Sequence, residues 1–184
     1  MIRMLAFALA LVCAAPALAQ APAGLDPQNT VYLDTKNGRV VIKLRNDLAP
    51  GHAARIKQLV REGFYNNVPF HRVIPGFMAQ TGDGQFGNGT GGSKYPALKA
   101  EFSSVPFTRG IVGMARTSDP NSANSQFFIM FDTASSLDNK YTVIGQVVSG
   151  MDVVDKIKKG SPSDNGSVTD PDKIVKMTVA TDAK

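Results

Sequence analysis

Eight short segments of the chain either alternate between apolar and polar residues or are rich in β-branched and aromatic residues, and both patterns predict β-strands. The alternation is clear around Val31 and Leu33, and a second segment follows the turn at Asn37-Gly38. Both residues of an Asn-Gly pair tolerate the positive φ angles of a tight hairpin, so these two segments are predicted to pair. The eight predicted strands cover residues 29–34, 40–44, 70–74, 77–81, 111–115, 126–131, 143–148 and 174–180.

Two other segments have apolar residues at helical spacing. The first begins at Pro50, which suits a first helical position, and ends at Gly63; the second covers residues 151–158. His52 lies in the first turn of the first helix, where no partner residue is evident, and we expect it on the surface. Eight strands and two helices predict a mainly β fold, a closed eight-stranded antiparallel β-barrel capped by the two α-helices.

The stretch from residue 70 to residue 80, FHRVIPGFMAQ, combines an arginine, apolar residues and an amide. Its first half predicts a strand, and a Pro-Gly turn leads into a second strand. Because side chains alternate along a strand, Arg72 and Ile74 share one face, opposite His71. A cation is therefore fixed on a rigid element near Gln80. Taken alone, the segment is equally consistent with a half-exposed strand whose arginine faces solvent.

Three blocks of sequence occur in an order that resembles the cyclophilins, which are peptidyl-prolyl cis-trans isomerases. They are FHRVIPGFMAQ at residues 70–80, SQFFI at 125–129, and LDNKY at 137–141 followed by VIG. The resemblance extends from about residue 29 to residue 181. It implies a β-barrel that acts on X-Pro peptide bonds without a cofactor or a metal ion.

The resemblance also implies roles for individual residues. Arg72 is expected to be the catalytic donor to the prolyl nitrogen, with Gln80 orienting it and reaching the substrate backbone. Such a donor favours the twisted amide, which has lost its resonance, over either planar state. Gln126 and the main chain of Ala115 and Arg116 are expected to hold the residue before the proline. The other expected substrate-binding residues are apolar or aromatic: Ile74, Phe77, Met78, Phe128, Leu137 and Tyr141.

The sequence departs from the cyclophilin pattern around the groove. It contains no tryptophan, and Ser136 stands where many cyclophilins place the indole that helps to bind cyclosporin. The resemblance therefore implies isomerase activity without implying sensitivity to that drug. Tyr141 replaces a common histidine, Arg116 replaces an asparagine, and one extra residue occurs near Asp119. We expect binding to survive with an altered preference for the residues near the proline.

The first nineteen residues are expected to be a signal peptide. Arg3 gives a positive start, residues 5–15 are apolar, and a small-x-small cleavage site ends at Ala19. The apolar run is shorter than the roughly 20 residues of a membrane-spanning helix, which disfavours an N-terminal anchor. Residues 20–28 are predicted to be a tether and residues 29–182 the isomerase domain. Cleavage after Ala19 predicts a periplasmic protein and leaves full secretion open.

Composition narrows the expected partners. The chain has 20 Lys and Arg against 15 Asp and Glu, a net charge of +5, and its lysines are scattered rather than grouped with aromatic residues. No nucleic-acid surface is therefore predicted. The single cysteine, Cys13, lies in the predicted signal peptide, so we expect no disulfide and no thiolate metal site in the mature chain. The expected partners are unfolded or partly folded proline-containing polypeptides, bound by a monomer that does not associate with membranes.

Three alternatives compete with this interpretation. A proline-recognising binding module or chaperone would have the same groove and little turnover. Residues 82–87 match the G-x-G-x-x-G of dinucleotide-binding loops, but the following Ser-Lys-Tyr-Pro does not begin the helix that this fingerprint requires. His71, Ser125 and Asp83 are the residue types of a hydrolytic triad, although the chain has no nucleophile elbow. We expect the glycine-rich segment to be a surface loop beside the groove, and His71 to have a structural role.

Overall fold

The structure is a computed structural model and describes residues 23–183. Within that range, eight strands form one antiparallel sheet and two helices flank it. The predicted signal peptide and the first residues of the predicted tether lie outside the described residues. The strands are β1 Thr30–Thr35, β2 Gly38–Leu44, β3 Arg72–Ile74, β4 Met78–Thr81, β5 Ile111–Met114, β6 Phe127–Met130, β7 Val143–Ser149 and β8 Ile174–Val179. The helices are α1 Pro50–Arg61 and α2 Met151–Asp155.

The strands follow the order β3-β4-β6-β5-β7-β2-β1-β8 across the sheet. The larger hydrophobic cluster joins buried strand residues to the apolar face of α1, which contributes Ala53, Ile56, Leu59 and Val60. A smaller cluster includes Met78 of β4 and Phe128 of β6, and it supports the surface on which the predicted site lies. Helix α1 contacts β8, and α2 contacts β2. No helix in the described range is both long and apolar enough to cross a membrane.

The prediction of a closed barrel is wrong, because the sheet is an open, curled half-barrel. Strands β3 and β8, at the two edges of the sheet, share no ladder within residues 23–183. An isolated bridge joins Pro69, which precedes β3, to Lys173, which precedes β8. A loop occupies the outer edge of β3 instead. The Val73 N–H donates to the Gly166 carbonyl at 2.7 Å, and the Val168 N–H donates to the His71 carbonyl at 3.1 Å. The edge of β3 is thus satisfied by residues 166–168 rather than by a strand.

Helix α2 is shorter than the predicted segment 151–158. It ends at Asp155, and the amides of Lys156 and Ile157 bond to carbonyls three residues back. This tighter pattern is typical of a helix end. The apolar spacing continues beyond the point where the α-helical hydrogen bonds stop, which explains the longer prediction.

The prediction of a surface position for His52 is wrong, since the residue is 0% exposed. Its Nδ1 lies 2.6 Å from Oε2 of Glu101, and the same carboxylate accepts the backbone N–H groups of Gly51 and His52. Glu101 therefore covers the N-terminus of α1 from a distant part of the chain. Local sequence around His52 contains no sign of this contact.

Candidate active site

The candidate site is built on one row of paired residues that crosses four neighbouring strands. The register pairs Arg72 with Gln80, Gln80 with Phe128, and Phe128 with Gly113. Residues directly opposite one another in antiparallel strands present their side chains on the same face. The row therefore places a cation, an amide and an aromatic ring side by side.

Most of the predicted site residues line one cavity of about 190 Å³, which we call the first cavity. It is lined by Arg72, Phe77, Met78, Gln80, Ala115, Arg116, Phe128, Leu137 and Tyr141. Gln126 lines a neighbouring second cavity of about 270 Å³, which shares Gln80, Ala115 and Arg116 with the first. Ile74 does not line either cavity; it packs against the smaller hydrophobic cluster, beside Gly166. The structure thus brings together all the predicted residues except Ile74.

Two aromatic rings that line the first cavity, those of Phe128 and Tyr141, pack against a third, the buried ring of Phe107. Phe107 stacks on Phe128 with 5.8 Å between ring centroids, and Tyr141 meets both rings edge-on. Gly113 permits this arrangement, because a Cβ there would lie 2.5 Å from the Phe128 ring and 2.6 Å from the Phe107 ring. Phe107 was not among the predicted site residues, because it lies in an irregular segment with no local signal of its role. Its backbone N–H donates to Oδ1 of Asp138 at 2.8 Å.

Arg72 is held in place by Asn165, which was also not among the predicted site residues. Nε of Arg72 donates to the Asn165 carbonyl at 3.0 Å, and Nη2 donates to Asn165 Oδ1 at 2.8 Å. Its Nη1 donates to Gln80 Oε1 at 3.2 Å. Partial burial lowers the pKa of Arg72, but an arginine remains charged at neutral pH. Asn165 has a φ of 49°, which an asparagine adopts more easily than most residues, and the Asn-Gly pair predicts the turn without identifying what it contacts.

A chain of amide hydrogen bonds continues from Arg72 across the sheet. Because Gln80 Oε1 accepts from Arg72, its amide nitrogen faces Gln126 and donates to Oε1 of that residue at 2.9 Å. The amide nitrogen of Gln126 in turn donates to the carbonyls of Gly89 and Gly91, at 2.9 and 2.8 Å. The orientation of both glutamines is therefore set by the guanidinium at one end and the glycine-rich loop at the other.

The glycine-rich loop folds around the carboxylate of Asp83, which is 1% exposed. Five backbone N–H groups donate to it, those of Gln85, Phe86, Asn88, Gly89 and Gly91. Burial alone raises the pKa of Asp83, but these hydrogen bonds outweigh burial and lower it to about 2. A Cβ at position 91 would lie 2.4 Å from Asp83 Oδ1, so the loop needs glycine there. The N–H groups that a phosphate would require are already engaged, which argues against nucleotide binding.

The three residue types of a hydrolytic triad do not assemble into one. Ser125 Oγ donates to the Gly82 carbonyl at 2.8 Å, and Asp83 accepts only from its own loop. Burial lowers the pKa of His71, partly opposed by the charge of Asp83, and neither ring nitrogen hydrogen-bonds to Ser125 or to Asp83. His71 therefore lacks the two partners that a triad requires. In residues 23–183, no group of three or more His, Cys, Asp or Glu side chains is arranged to hold a metal ion.

Comparison with known families decides the class. The sequence profile described as "Cyclophilin type peptidyl-prolyl cis-trans isomerase/CLD" matches residues 30–179, which includes all of the candidate site. The chain belongs to the cyclophilin-type peptidyl-prolyl cis-trans isomerases. This confirms the resemblance and the predicted enzyme class, and it favours a catalyst over a binding module that shares only the groove.

Two relatives illustrate the range of this cyclophilin-type family. A probable peptidyl-prolyl cis-trans isomerase of Brucella suis is 59% identical over 193 aligned positions, covering 100% of this chain and 98% of the relative. Peptidyl-prolyl cis-trans isomerase B of Escherichia coli is 43% identical over 136 positions, covering 70% of this chain and 83% of the relative.

Solved structures show the same cyclophilin fold. A cyclophilin from Hirschia baltica has a TM-score of 0.78 at 30% identity, covering 87% of this chain and 77% of that one. A cyclophilin-type isomerase from Cryptosporidium parvum, crystallised in the presence of the dipeptide Ala-Pro, has a TM-score of 0.73 at 26% identity, covering 82% and 98% of the two chains.

Proposed function

We propose that this cyclophilin isomerises X-Pro bonds of unfolded or partly folded polypeptides in the periplasm and so assists their folding. The observation that carries the proposal is the position of Arg72, which is held by Asn165 and Gln80 and lines the same cavity as several apolar side chains. A fixed donor beside apolar side chains that can hold a proline ring is the arrangement that prolyl rotation needs.

The size of the required effect is consistent with one such donor and a binding cavity. Resonance gives the peptide bond a rotational barrier of about 18–20 kcal/mol, and X-Pro bonds isomerise in roughly tens to hundreds of seconds. Reaching milliseconds requires about five powers of ten, or roughly 7 kcal/mol of differential stabilisation of the transition state. The prolyl nitrogen recovers its lone pair as the amide twists, and Arg72 donates to it at that point. The hydrogen bond from Arg72 to the prolyl nitrogen is therefore stronger in the twisted state than in either planar state.

The remaining site residues contact different parts of the substrate. The apolar side chains of the first cavity, including Phe77, Met78 and Leu137, hold the proline ring. Because the cavity clamps the ring, the carbonyl side of the bond is the part that rotates. Gln126 and the Ala115-Arg116 main chain contact the residue that precedes the proline. The Ala-Pro dipeptide used with the Cryptosporidium parvum relative supports a proline-containing ligand for this groove. The protein acts as a monomer and uses no cofactor.

Exchange NMR on a short X-Pro peptide tests this proposal. We expect the mature wild-type protein to accelerate cis-trans exchange by orders of magnitude and Arg72→Ala to lose most of that acceleration while still binding the peptide. Arg61→Ala is the matched control, because Arg61 is an exposed arginine on α1 that pairs with Asp182. Peptide binding by the wild type without faster exchange would instead identify a proline-binding module.

The periplasmic location needs a separate test. Mass spectrometry of the protein recovered from a periplasmic fraction is expected to show a mature chain that begins at Gln20. Recovery of the full 184-residue chain from the cytoplasm alone would contradict the proposed location and leave the proposed reaction unaffected.

A further inference from the structure

Arg116 connects the two cavities of the groove. It lines the first cavity together with Tyr141, and it lines the second together with Gln126. If the proline ring lies in the first cavity, as proposed above, the residues that precede it in the peptide pass Arg116 and reach the second. Arg116 is therefore placed to contact the upstream side chains of a substrate.

The guanidinium of Arg116 is held in one position by the protein. It stacks on the Tyr141 ring with its central carbon 4.3 Å from the ring centroid. Nε and Nη2 donate to the Lys140 carbonyl at 3.3 and 2.9 Å, and Nη1 donates to the carbonyls of Thr117 and Ser118 at 2.8 and 3.3 Å. A side chain that is already ordered loses little conformational entropy when a ligand binds to it.

The charge of Arg116 has no carboxylate partner among the described residues. Four other arginines of the structure each form an ion pair with an aspartate, namely Arg39, Arg45, Arg61 and Arg109. The partners of Arg116 are instead backbone carbonyls and an aromatic ring, and Arg72 contacts only amide groups. Of the described residues that line the two cavities, none is acidic. The groove thus presents two cations that no protein carboxylate neutralises.

The second cavity has polar as well as apolar walls. Thr90, Thr117, Ser122 and Asn124 line it beside Arg116, so a substrate carboxylate there would lie among hydroxyl and amide groups. Asp119, which lies in the adjoining loop, accepts the Asn121 backbone N–H rather than a contact from Arg116.

From this geometry we infer that Arg116 makes the enzyme select substrates with an Asp or Glu upstream of the isomerising X-Pro bond, the carboxylate lying in the second cavity. The inference rests on the proposed function, since it assumes that proline occupies the first cavity. It names a substrate class, acidic proline-containing segments, and it makes Arg116 a determinant of specificity through its side chain.

Peptide series that differ in one side chain test the inference. Glu is placed one, two or three residues before the proline, and each peptide is compared with matched Gln and Lys versions by exchange NMR and by titration. At one of these positions we expect kcat/KM for Glu to exceed that for Gln by about two- to fivefold, the size typical of an exposed ion pair, with Lys below Gln. The preference is expected to shrink as salt is added, because exposed charges are screened.

The variants identify the residue responsible. Arg116→Gln is expected to reduce the Glu-to-Gln ratio to near one, and Arg116→Lys to restore part of it, because a lysine keeps the charge without the planar fork. Arg61→Gln removes the same charge at an exposed residue that lines neither cavity and is expected to leave the ratio unchanged.

The outcomes separate this inference from the proposed function. One outcome is that the Gln peptides are turned over at the same rates as the Glu peptides at all three positions. That result would overturn the acidic preference and leave the isomerase proposal standing. A preference that persists in Arg116→Gln would also overturn it. If no peptide is turned over, the isomerase proposal fails, and the titrated affinities for Glu and Gln peptides still decide whether the groove selects acidic chains.

Discussion

Asn165 contacts Arg72 with both of its oxygen atoms, the backbone carbonyl at 3.0 Å and the side-chain Oδ1 at 2.8 Å. The contact exists because residues 166–168 pair with the outer edge of β3, which brings the preceding Asn165 against the first residue of that strand. Two fixed acceptors leave the guanidinium little freedom to rotate. The loop that keeps the sheet from closing thus orients the proposed catalytic donor.

Asn165→Ala removes one of the two acceptors and keeps the other. A hydrogen bond with a charged donor contributes roughly 1.5–3 kcal/mol. Because the backbone acceptor remains, we expect the lower end of this range, a fall in kcat/KM for an X-Pro peptide of about tenfold, through kcat rather than through peptide affinity. Exchange NMR and a peptide titration measure the two quantities separately. Ser163→Ala, at an exposed residue of the same loop, is the control. If Asn165 acts by positioning Arg72, Asn165→Ala should not lower kcat/KM further in a protein that already carries Arg72→Ala. An equal loss of kcat/KM in the wild-type and Arg72→Ala backgrounds would rule that role out.

Catalysis should depend on the planar, multi-donor guanidinium of Arg72 as well as on its charge. We expect Arg72→Ala to lower kcat/KM by about 10²- to 10³-fold, as the loss of one transition-state donor does in other enzymes. Arg72→Lys keeps the charge but cannot donate to Asn165, Gln80 and the substrate together, so it is expected to retain less than about a tenth of the wild-type rate. Peptide affinity should change by no more than about threefold in either variant. Wild-type activity in Arg72→Lys would show that a point charge suffices.

The sequence predicted the elements of the site better than their arrangement. Alternation and the content of β-branched and aromatic residues correctly placed Arg72, Gln80 and Phe128 on strands, even though β6 is buried on both faces. Their alignment in one row depends on the register between β4 and β6, which pair across a long separation in the chain. The contacts made by Asn165 and Phe107 are equally long-range, and neither residue has a local pattern that identifies its partner.

The errors have the same origin. Eight strands with alternating faces are compatible with either a closed or an open sheet, and the outcome was decided by a loop that pairs with β3. His52 was expected on the surface because helical spacing describes the faces of α1 but not what covers its end. Ile74 shares a face with Arg72, as predicted, yet it lies outside both cavities, since sharing a face does not ensure reaching the same cavity.

Asp83 should make the stability of the protein depend on pH in the acidic range. Its pKa is lowered to about 2 in the folded protein from an ordinary value of 3.8. A carboxylate with a lowered pKa stabilises the folded state fully above its unfolded pKa, and this contribution is lost as the pH falls from about 4 to about 2. The amount lost is roughly 2 kcal/mol.

Urea unfolding of the wild type and Asp83→Asn between pH 6 and pH 2 measures this contribution. Other carboxylates titrate in the same range, so the difference between the two proteins is the relevant quantity. We expect Asp83→Asn to be less stable at pH 6 and the gap to narrow by roughly 2 kcal/mol by pH 2. Asp152→Asn, at an exposed residue of α2, is the control for the loss of one surface carboxylate. A constant gap for Asp83→Asn would show that its carboxylate titrates normally.

Glu101 should stabilise the N-terminus of α1 across a long separation in sequence. The residue that precedes the helix, Ala49, provides no side-chain cap, and the Glu101 carboxylate instead accepts the N–H groups of Gly51 and His52 at 3.1 and 3.0 Å. Burial raises the pKa of Glu101, but its hydrogen bonds to His52 and to these amides outweigh burial and lower it. The stabilisation is therefore present at neutral pH and is lost on acidification below the ordinary range of a glutamate.

Glu101→Ala leaves the two amides and the buried His52 ring without their acceptor, and we expect the free energy of unfolding at pH 7 to fall by about 2–3 kcal/mol. Glu101→Gln keeps one acceptor oxygen and should lose about half as much. Gln58→Ala, on the exposed face of the same helix, is the control for urea unfolding. Glu101 does not line either cavity, so kcat/KM well below the unfolding transition should stay near the wild-type value. Substitutions of exposed, weakly bonded groups change stability by up to about 0.5 kcal/mol. If Glu101→Ala lies within that range of the wild type, water caps the helix as well as Glu101 does.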